Sequence, residues 1–460
     1  MRKKTVESND DSFAGIFSYI KGLEKENRKL AKDNKELAKK LDSKRYKAID
    51  AVVDSAYCVL RRKNKKKELI DRNIDISLKY VSFELPERKV IKKRIDIINV
   101  NFYDWEGKVM YKGGAERYVF DLACLIKEMG YKPRILQCSD VPFKKKYRGI
   151  EVIGIGAGDR NDMRENSFLF AKFCRDAELI IASPLELACE IKDVPTIGIN
   201  HGVNFDGDWN RSDKTSVKDY AVYIDALRNV EKCVCVDTNF INWTRTIDYK
   251  SSLKEKYIPN YVDAEKFAEI AKKKRNDEVV FVYPRRIYNA RGADIAIEAF
   301  DEILKQYKDK VIARFVGQVD NQEIGKKLDA LMKKYEKNVF HYEYDMEEMP
   351  KAYEGADVVL VPTKYCEGTS LSCIEGMVSG AAIITTDVGG LPNLVIDGYN
   401  GKLISPVAED LERAMKEMID NPEERKQLAK NGQLVAKKAF NKNNWDKKWK
   451  QIIDKAMAKS

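Results

Sequence analysis

Residues Cys366–Gly398 read CEGTSLSCIEGMVSGAAIITTDVGGLPNLVIDG, and their pattern decides how the rest of the chain is read. Glu367 and Glu375 stand either side of seven small or apolar residues, the second of them inside an apolar helical stretch. A β-like run follows and closes on the Gly-rich turn Val388-Gly389-Gly390. A helix followed by a strand and a glycine turn is the building unit of an α/β sheet. The carboxyl groups of a glycoside hydrolase pair would lie roughly 5 to 9.5 Å apart. Eight residues of helix rise about 12 Å and turn the second side chain away from the first, so a hydrolytic pair is disfavoured.

The same alternation extends outward in both directions. From about residue 265 to 440 the strand candidates are EVVFVYP, VIARFVG, NVFHYE, DVVLVP, AAIITT and GKLISP, with helical stretches between. From about 94 to 264 they are RIDIINVNF, RILQC, IEVIGIG, ELIIASP, PTIGINHG, KCVCVD and KYIPN. Between the first two of these, GGAERYVFDLACLIKEMGY has Tyr118, Val119, Leu122, Ile126 and Met129 at helical spacing. Strands alternating with helices predict doubly wound parallel sheets, and two such domains predict a ligand cleft between them. The tail NNWDKKWKQIIDKAMAKS puts Trp445, Trp449 and Ile453 on one helical face. Residues 441–460 are therefore expected to pack back on the first α/β domain.

Residues 1–93 differ in kind. Ile20, Asn27, Asn34 and Leu41 are spaced by seven, with Leu23, Leu30 and Leu37 interleaved. This is a heptad pattern with Asn at a-type positions, and it predicts a helical coiled coil and a homo-oligomer. A lone amphipathic helix packed on the body is the other reading. The net charge is +11, and residues 1–67 carry 20 Lys/Arg against 10 Asp/Glu, densest at Arg61–Lys67. Such a run reads as a solvated linker or as a contact for an anionic membrane surface. No aromatic interleaving or nucleic-acid motif accompanies it, so no nucleic-acid partner is expected. No apolar run is long enough to span a bilayer and none follows the basic N-terminus as a leader would, while nine singly placed cysteines argue against a disulfide framework. A cytoplasmic protein, peripheral on the inner face of a membrane, is the expectation.

The spacing of Glu367 and Glu375 suits an elongated ligand with hydroxyl groups at both ends. A nucleotide sugar is one, with a diphosphate between its sugar and its ribose, and a carboxylate can accept two hydroxyl donors at once. The diphosphate needs cations and amide donors. Gly113-Gly114 opens a helix, where free N–H groups favour an anion, and Arg286 and Arg291 lie between a strand and a helix. His201 ends the strand PTIGINHG, and His341 sits inside a strand, where a structural role is expected. Asp206-Gly207-Asp208 is a DxD triplet, two carboxylates at a spacing that can hold a metal ion.

Together, GGAERYVFDLA, IPNYVDAEKF, PRRIYNARG, EGTSLSCIEGMVSG and TTDVGGLPNLVIDGYNGKLISP resemble family 4 of the retaining nucleotide-sugar glycosyltransferases, over roughly residues 94–440. The resemblance implies a GT-B fold: two Rossmann-like, doubly wound parallel-sheet domains facing across a cleft, here 94–264 on the acceptor side and 265–440 on the donor side. It implies that Glu367 lies near the donor sugar's hydroxyls and that Glu375 holds the ribose. Arg286 and Arg291 would face the diphosphate, beside Gly113 and Gly114. The start of the next helix, Thr369, Ser370 and Leu371, would add phosphate or sugar contacts, and His201 would sit at the reacting centre. No cofactor and no metal are expected, because cations and helix starts neutralise the phosphates. A glycan or lipid-linked oligosaccharide is the expected acceptor. Two positions depart from the family: Gly376 stands where Ala is common, and Arg285 where Gly is usual. A non-catalytic scaffold and a nucleotide-sugar epimerase are the rival readings.

Overall fold

The N-terminal domain runs β1 (Arg94–Asn99), α1 (Gly114–Glu128), β2 (Lys132–Gln137), β3 (Pro142–Tyr147), β4 (Ile150–Ile155), α2 (Met163–Phe173), β5 (Leu179–Ser183), β6 (Thr196–Asn200), α3 (Val217–Asn229), β7 (Lys232–Cys235), α4 (Asn239–Ile247), α5 (Tyr249–Ser252) and β8 (Glu255–Tyr257). Its strands form one sheet in the order β3-β4-β2-β1-β5-β6-β7-β8, parallel except for β3. After α6 (Ala264–Ala268), the C-terminal domain begins with β9 (Val279–Pro284), α7 (Ala293–Tyr307), β10 (Val311–Val316), α8 (Gln322–Lys334), β11 (Val339–Tyr342) and β12 (Val358–Val361). It continues with α9 (Leu371–Ser379), β13 (Ala382–Thr386), β14 (Lys402–Ile404), α10 (Ala408–Asp420) and α11 (Pro422–Ala439), and α12 (Lys442–Met457) ends the chain's described structure. The second sheet is β11-β10-β9-β12-β13-β14, all parallel. This computed structural model describes residues 88–458 except 112, 204–216, 269–277 and 346. The heptad segment, the basic run at Arg61–Lys67 and Asp206–Asp208 lie outside the described residues.

The local chemistry explains the elements. Strands β5, β6 and β12 are buried throughout, as parallel strands covered on both faces must be. Helix α1 buries Tyr118, Val119, Leu122, Ala123, Leu125 and Ile126, with Glu116 in its first turn and Lys127 in its last, matching the helix dipole. Asn321 caps α8 by accepting from the N–H groups of Glu323 and Ile324. The hairpin partner β3 has no counterpart among the strands expected from sequence. It is a lysine-rich edge strand, PFKKKY, whose side chains stay mostly in solvent, so its composition carries no burial signal. The signal lies in its turn: Arg148 and Gly149 both have positive φ, as a two-residue hairpin loop requires.

Both domains belong to one compact unit, Lys89–Ser460. Helix α12 returns to the first sheet, where Trp445, Trp449 and Ile453 share a core with Ile95, Ile97, Tyr118 and Leu122. The Trp449 indole N–H donates to the Tyr118 hydroxyl at 2.8 Å. That contact satisfies the one polar atom of the indole and fixes the register of α12 on α1.

Candidate active site

Most of the candidate residues lie just past the C-terminal ends of strands, the usual place for ligands in such sheets. His201 follows β6, Arg285 and Arg291 follow β9, and Glu367 follows β12. The segment Gly368–Ser370 then leads into α9, whose second turn carries Glu375.

The two glutamates have separate partners. Glu367 Oε2 accepts from Arg285 at 2.5 Å, Arg291 at 2.8 Å and the Thr363 hydroxyl at 2.9 Å. Burial works against its charge, but the two guanidiniums outweigh it and hold the carboxyl below the usual range. Glu375, 4% exposed, takes Arg117 on Oε1 at 3.1 Å and the Tyr353 hydroxyl on Oε2 at 2.9 Å. Here burial dominates and its carboxyl titrates above the ordinary value, despite the opposing pull of Arg117. Because Arg117 stands on α1 and Glu375 on α9, this ion pair ties the two domains together.

The starts of α1 and α9 meet across the cleft. A Cβ built on Gly114 would lie 3.2 Å from Leu371 Cδ1. A small pocket beside them is lined by Gly114, Arg117, Tyr118, Asp121, Asn260, Tyr261 and Leu371. Gly113 caps α1 with extended backbone and no side chain of its own. Glu116 folds back over this helix start, and a Cβ on Gly113 would meet its Oε2 at 2.3 Å. Burial pushes the Glu116 carboxyl up, while the N–H groups of Glu116 and Gly113 and the nearby Arg286 favour its charged form. The Glu116 carboxyl group therefore already occupies the start of α1. Arg286 is otherwise open to solvent, with its side chain 61% exposed, and donates to Asp320 at 3.2 Å.

Thr369 and Ser370 are buried at the seam between domains. The Thr369 hydroxyl donates to the Val236 carbonyl, and its own carbonyl accepts from Asn260 at 2.6 Å. Nearby, the Thr238 N–H donates to Asn393 Oδ1 at 2.9 Å. Gly389, at φ +59°, lies under Glu367, and a Cβ there would come within 2.3 Å of the Glu367 carbonyl oxygen. His201 shares a hydrogen bond with the Ser183 hydroxyl at 2.9 Å from Nε2 and meets Tyr118 edge-on at 5.3 Å. Enclosure lowers its pKa to about 4, so the ring is neutral at pH 7. His341 instead bonds the Gly317 carbonyl from within β11, at 2.8 Å.

Sequence reasoning did not find several residues of the site. Arg285, noted only as a departure from the family, has its side chain 7% exposed and is bound to Glu367 and Thr363. Arg117 and Tyr353 clamp Glu375 from distant points in the chain. Asp237, fully buried after β7, accepts the Asn239 N–H on Oδ1 at 2.7 Å, while its Oδ2 has no partner. Burial, with a contribution from Glu367, raises its pKa to about 6. Among the described residues no group of three or more His, Cys, Asp or Glu could hold a metal ion.

Residues 265–435 match the family described as Glycosyl transferases group 1. Over 338 residues the chain is 27% identical to the uncharacterized glycosyltransferase MJ1178 of Methanocaldococcus jannaschii, spanning 70% of this chain and 84% of that one. A second protein of that organism, the uncharacterized glycosyltransferase MJ1069, is 27% identical over 40% of this chain, and the match spans only about half of it, 47%. Among solved structures, sucrose-phosphate synthase from Thermosynechococcus elongatus superposes with a TM-score of 0.65 at 19% identity, over 80% of this chain and 100% of that one. Anabaena HepE, in complex with UDP, does so with 0.62 at 17% identity, over 79% and 100%. The fold is GT-B. Its C-terminal domain matches the group 1 glycosyltransferase family.

Proposed function

We propose that this protein transfers a sugar from a nucleoside-diphosphate sugar to an acceptor hydroxyl with retention of anomeric configuration, needing no metal ion. The observation that carries the reading is the pair of buried carboxylates flanking the start of α9, each already held by guanidinium. Glu375, now on Arg117 and Tyr353, would take the ribose hydroxyls, and Glu367 the sugar's hydroxyls through Oε1, since Oε2 is occupied by its three donors. Arg286, Arg291 and the helix starts at Gly113-Gly114 and Thr369-Ser370-Leu371 would receive the diphosphate. Glu116 lies where that anion would bind, and the two exchange. HepE, a protein of the same fold, has been solved with UDP and with UDP-glucose, which supports a donor of this class.

In the step itself, the bond from the anomeric carbon to the leaving phosphate oxygen breaks and the bond to the acceptor oxygen forms on the same face. The acceptor proton passes to the departing diphosphate. The protein's contribution is electrostatic: guanidiniums and amides fixed where negative charge grows. Neutral His201, with Nε2 held by Ser183, would orient a sugar hydroxyl through Nδ1. The acceptor we favour is a surface polysaccharide or lipid-linked glycan met at the cytoplasmic face of a membrane, a reading that rests on the basic N-terminal run. The test is turnover with UDP-glucose, GDP-mannose, dTDP-glucose and ADP-glucose, with water as the default acceptor and a chelator present. Proton NMR of the sugar at first release should show the α-anomer, the configuration of the donor. The β-anomer would refute retention, a need for added metal would refute the ion-independent charge scheme, and no turnover of any donor would refute transfer.

A further inference from the structure

Three arginines cluster at the end of β9, and their exposure separates their work. The Arg286 side chain is 61% exposed, that of Arg291 20% and that of Arg285 7%. Arg285 and Arg291 converge on one oxygen, Glu367 Oε2. One carboxylate against two guanidiniums leaves one positive charge in excess in a nearly buried setting, where an uncompensated charge is costly. The excess belongs to this three-group cluster, with the buried Asp237 carboxyl also in the field of Glu367.

The two guanidiniums are not equivalent. Arg285 also donates to the Thr363 hydroxyl at 2.6 Å, and that hydroxyl donates to the same Glu367 oxygen at 2.9 Å, which closes a triangle. Its backbone is braced as well. The Arg285 carbonyl is so close to Gly317 that a Cβ there would come within 2.5 Å of it. The preceding Pro284 carbonyl accepts from Ser372 of α9 at 2.7 Å. Arg285 Nε is buried without a partner, a cost to stability that the two bonds of the guanidinium's other nitrogens offset. Arg291 ends the short turn Asn289–Arg291, where its guanidinium also donates to the Cys366 carbonyl at 2.9 Å and its carbonyl accepts from the Tyr283 hydroxyl at 3.1 Å; what sets it apart is a side chain 20% exposed, open to solvent where that of Arg285 is 7% exposed.

We infer that Arg285 is the standing counter-ion of Glu367, a positioning residue that frees Arg291 to leave this carboxylate for the donor's diphosphate. The inference rests on the donor-binding reading above. When Arg291 turns to the phosphates, the Arg285–Thr363–Glu367 triangle keeps Glu367 ionised and in place. Without Arg285, Arg291 could leave only by stranding a buried carboxylate, so diphosphate affinity falls even though Arg285 itself does not touch the ligand.

The test is calorimetric titration of the full chain with UDP, GDP, dTDP and ADP, comparing wild type, Arg285→Met, Arg285→Lys, Arg285→Met/Glu367→Gln and Arg285→Lys/Glu367→Gln. For the diphosphate that wild type binds, Arg285→Met should weaken affinity about tenfold or more, and Arg285→Lys less. Adding Glu367→Gln removes the charge that detains Arg291, and should restore affinity to within about threefold of wild type. A purely structural role for Arg285 would not be rescued by a second substitution in the same site. Unchanged affinity in Arg285→Met, or a loss that Glu367→Gln does not recover, would overturn the inference while leaving donor binding intact. Should thermal melting show Arg285→Met unfolded, the two Arg285→Lys variants give the same comparison. Failure of wild type to bind any of the four would overturn the donor reading, and this inference with it.

Discussion

The ion pair between Arg117 and Glu375 links the two domains, and replacing Arg117 by Met should reveal what it contributes. Glu375 is 4% exposed and would keep only the Tyr353 hydroxyl. Breaking a buried pair from one side typically costs about 3–5 kcal/mol; because Arg117 is 20% exposed, the lower end, about 3 kcal/mol, applies. For a domain of this size that is roughly 6 to 12 °C in Tm. The loss must depend on pH. The Glu375 carboxyl titrates above its ordinary value in the folded protein, so its contribution is fully present below the unfolded value and is lost as pH rises through the folded one. Removing Arg117 raises that folded value further. The deficit against wild type should therefore be largest above the folded value and narrow as pH falls toward the ordinary carboxylate range, where a protonated Glu375 no longer needs a cation. Glu375→Gln should cost less at neutral pH, because Arg117 keeps Asp121 at 3.8 Å and some solvent. Differential scanning calorimetry of the single and double variants across that range is the assay. A Tm deficit in Arg117→Met that stays constant with pH, or one below about 1 °C, would refute the reasoning.

Three further outcomes are expected. His201 should titrate near pH 4, because enclosure disfavours its charged form, and stability tied to it should decline as pH falls from 6.5 through that value; an imidazole NMR midpoint at 6.5 would contradict this. Glu116→Gln should remove the carboxyl group from the start of α1 and tighten nucleoside-diphosphate binding about two- to fivefold, the scale of a charge at a helix terminus, read by titration; weaker binding would contradict the placement of the phosphates. Trp449→Ala should cost about 3–5 kcal/mol and make α12 the first site of limited proteolysis, since the side chain is fully buried against α1 and α12 ends the described chain; a protease-resistant C-terminus in this variant would contradict that account.

The parallel strands were legible in the sequence because buried strands are apolar on both faces, so VVLV and LIIAS announce themselves without any partner in view. Strand β3 was not, because a lysine-rich edge strand hides its apolar signal in solvent-facing charge. The candidate site divides in the same way. Glu367, Glu375, Gly113 and Arg291 sit in short patterns that are weak one by one and gain meaning from their joint resemblance to a known family. Arg117 and Glu375 stand 258 residues apart, and only the closed cleft makes them neighbours. Asp237 and Tyr353 are ordinary residues in sequence, and acquire their chemistry from burial beside a second charge or acceptor. Arg285 was visible as an odd residue in a glycine's place, but its direction was not: of adjacent arginines, one turns inward to Glu367 and the other outward to Asp320.

Calorimetric titration of wild type and Glu375→Ala with UDP, GDP, dTDP and ADP and their sugars tests the central claim, a nucleotide-sugar seat in the cleft, most directly. One base should bind wild type, stabilising it by about 2.7 kcal/mol at a hundredfold excess over Kd, and Glu375→Ala should weaken that binding about tenfold or more. Binding of none of them to wild type, or equal binding to both proteins, would contradict the account.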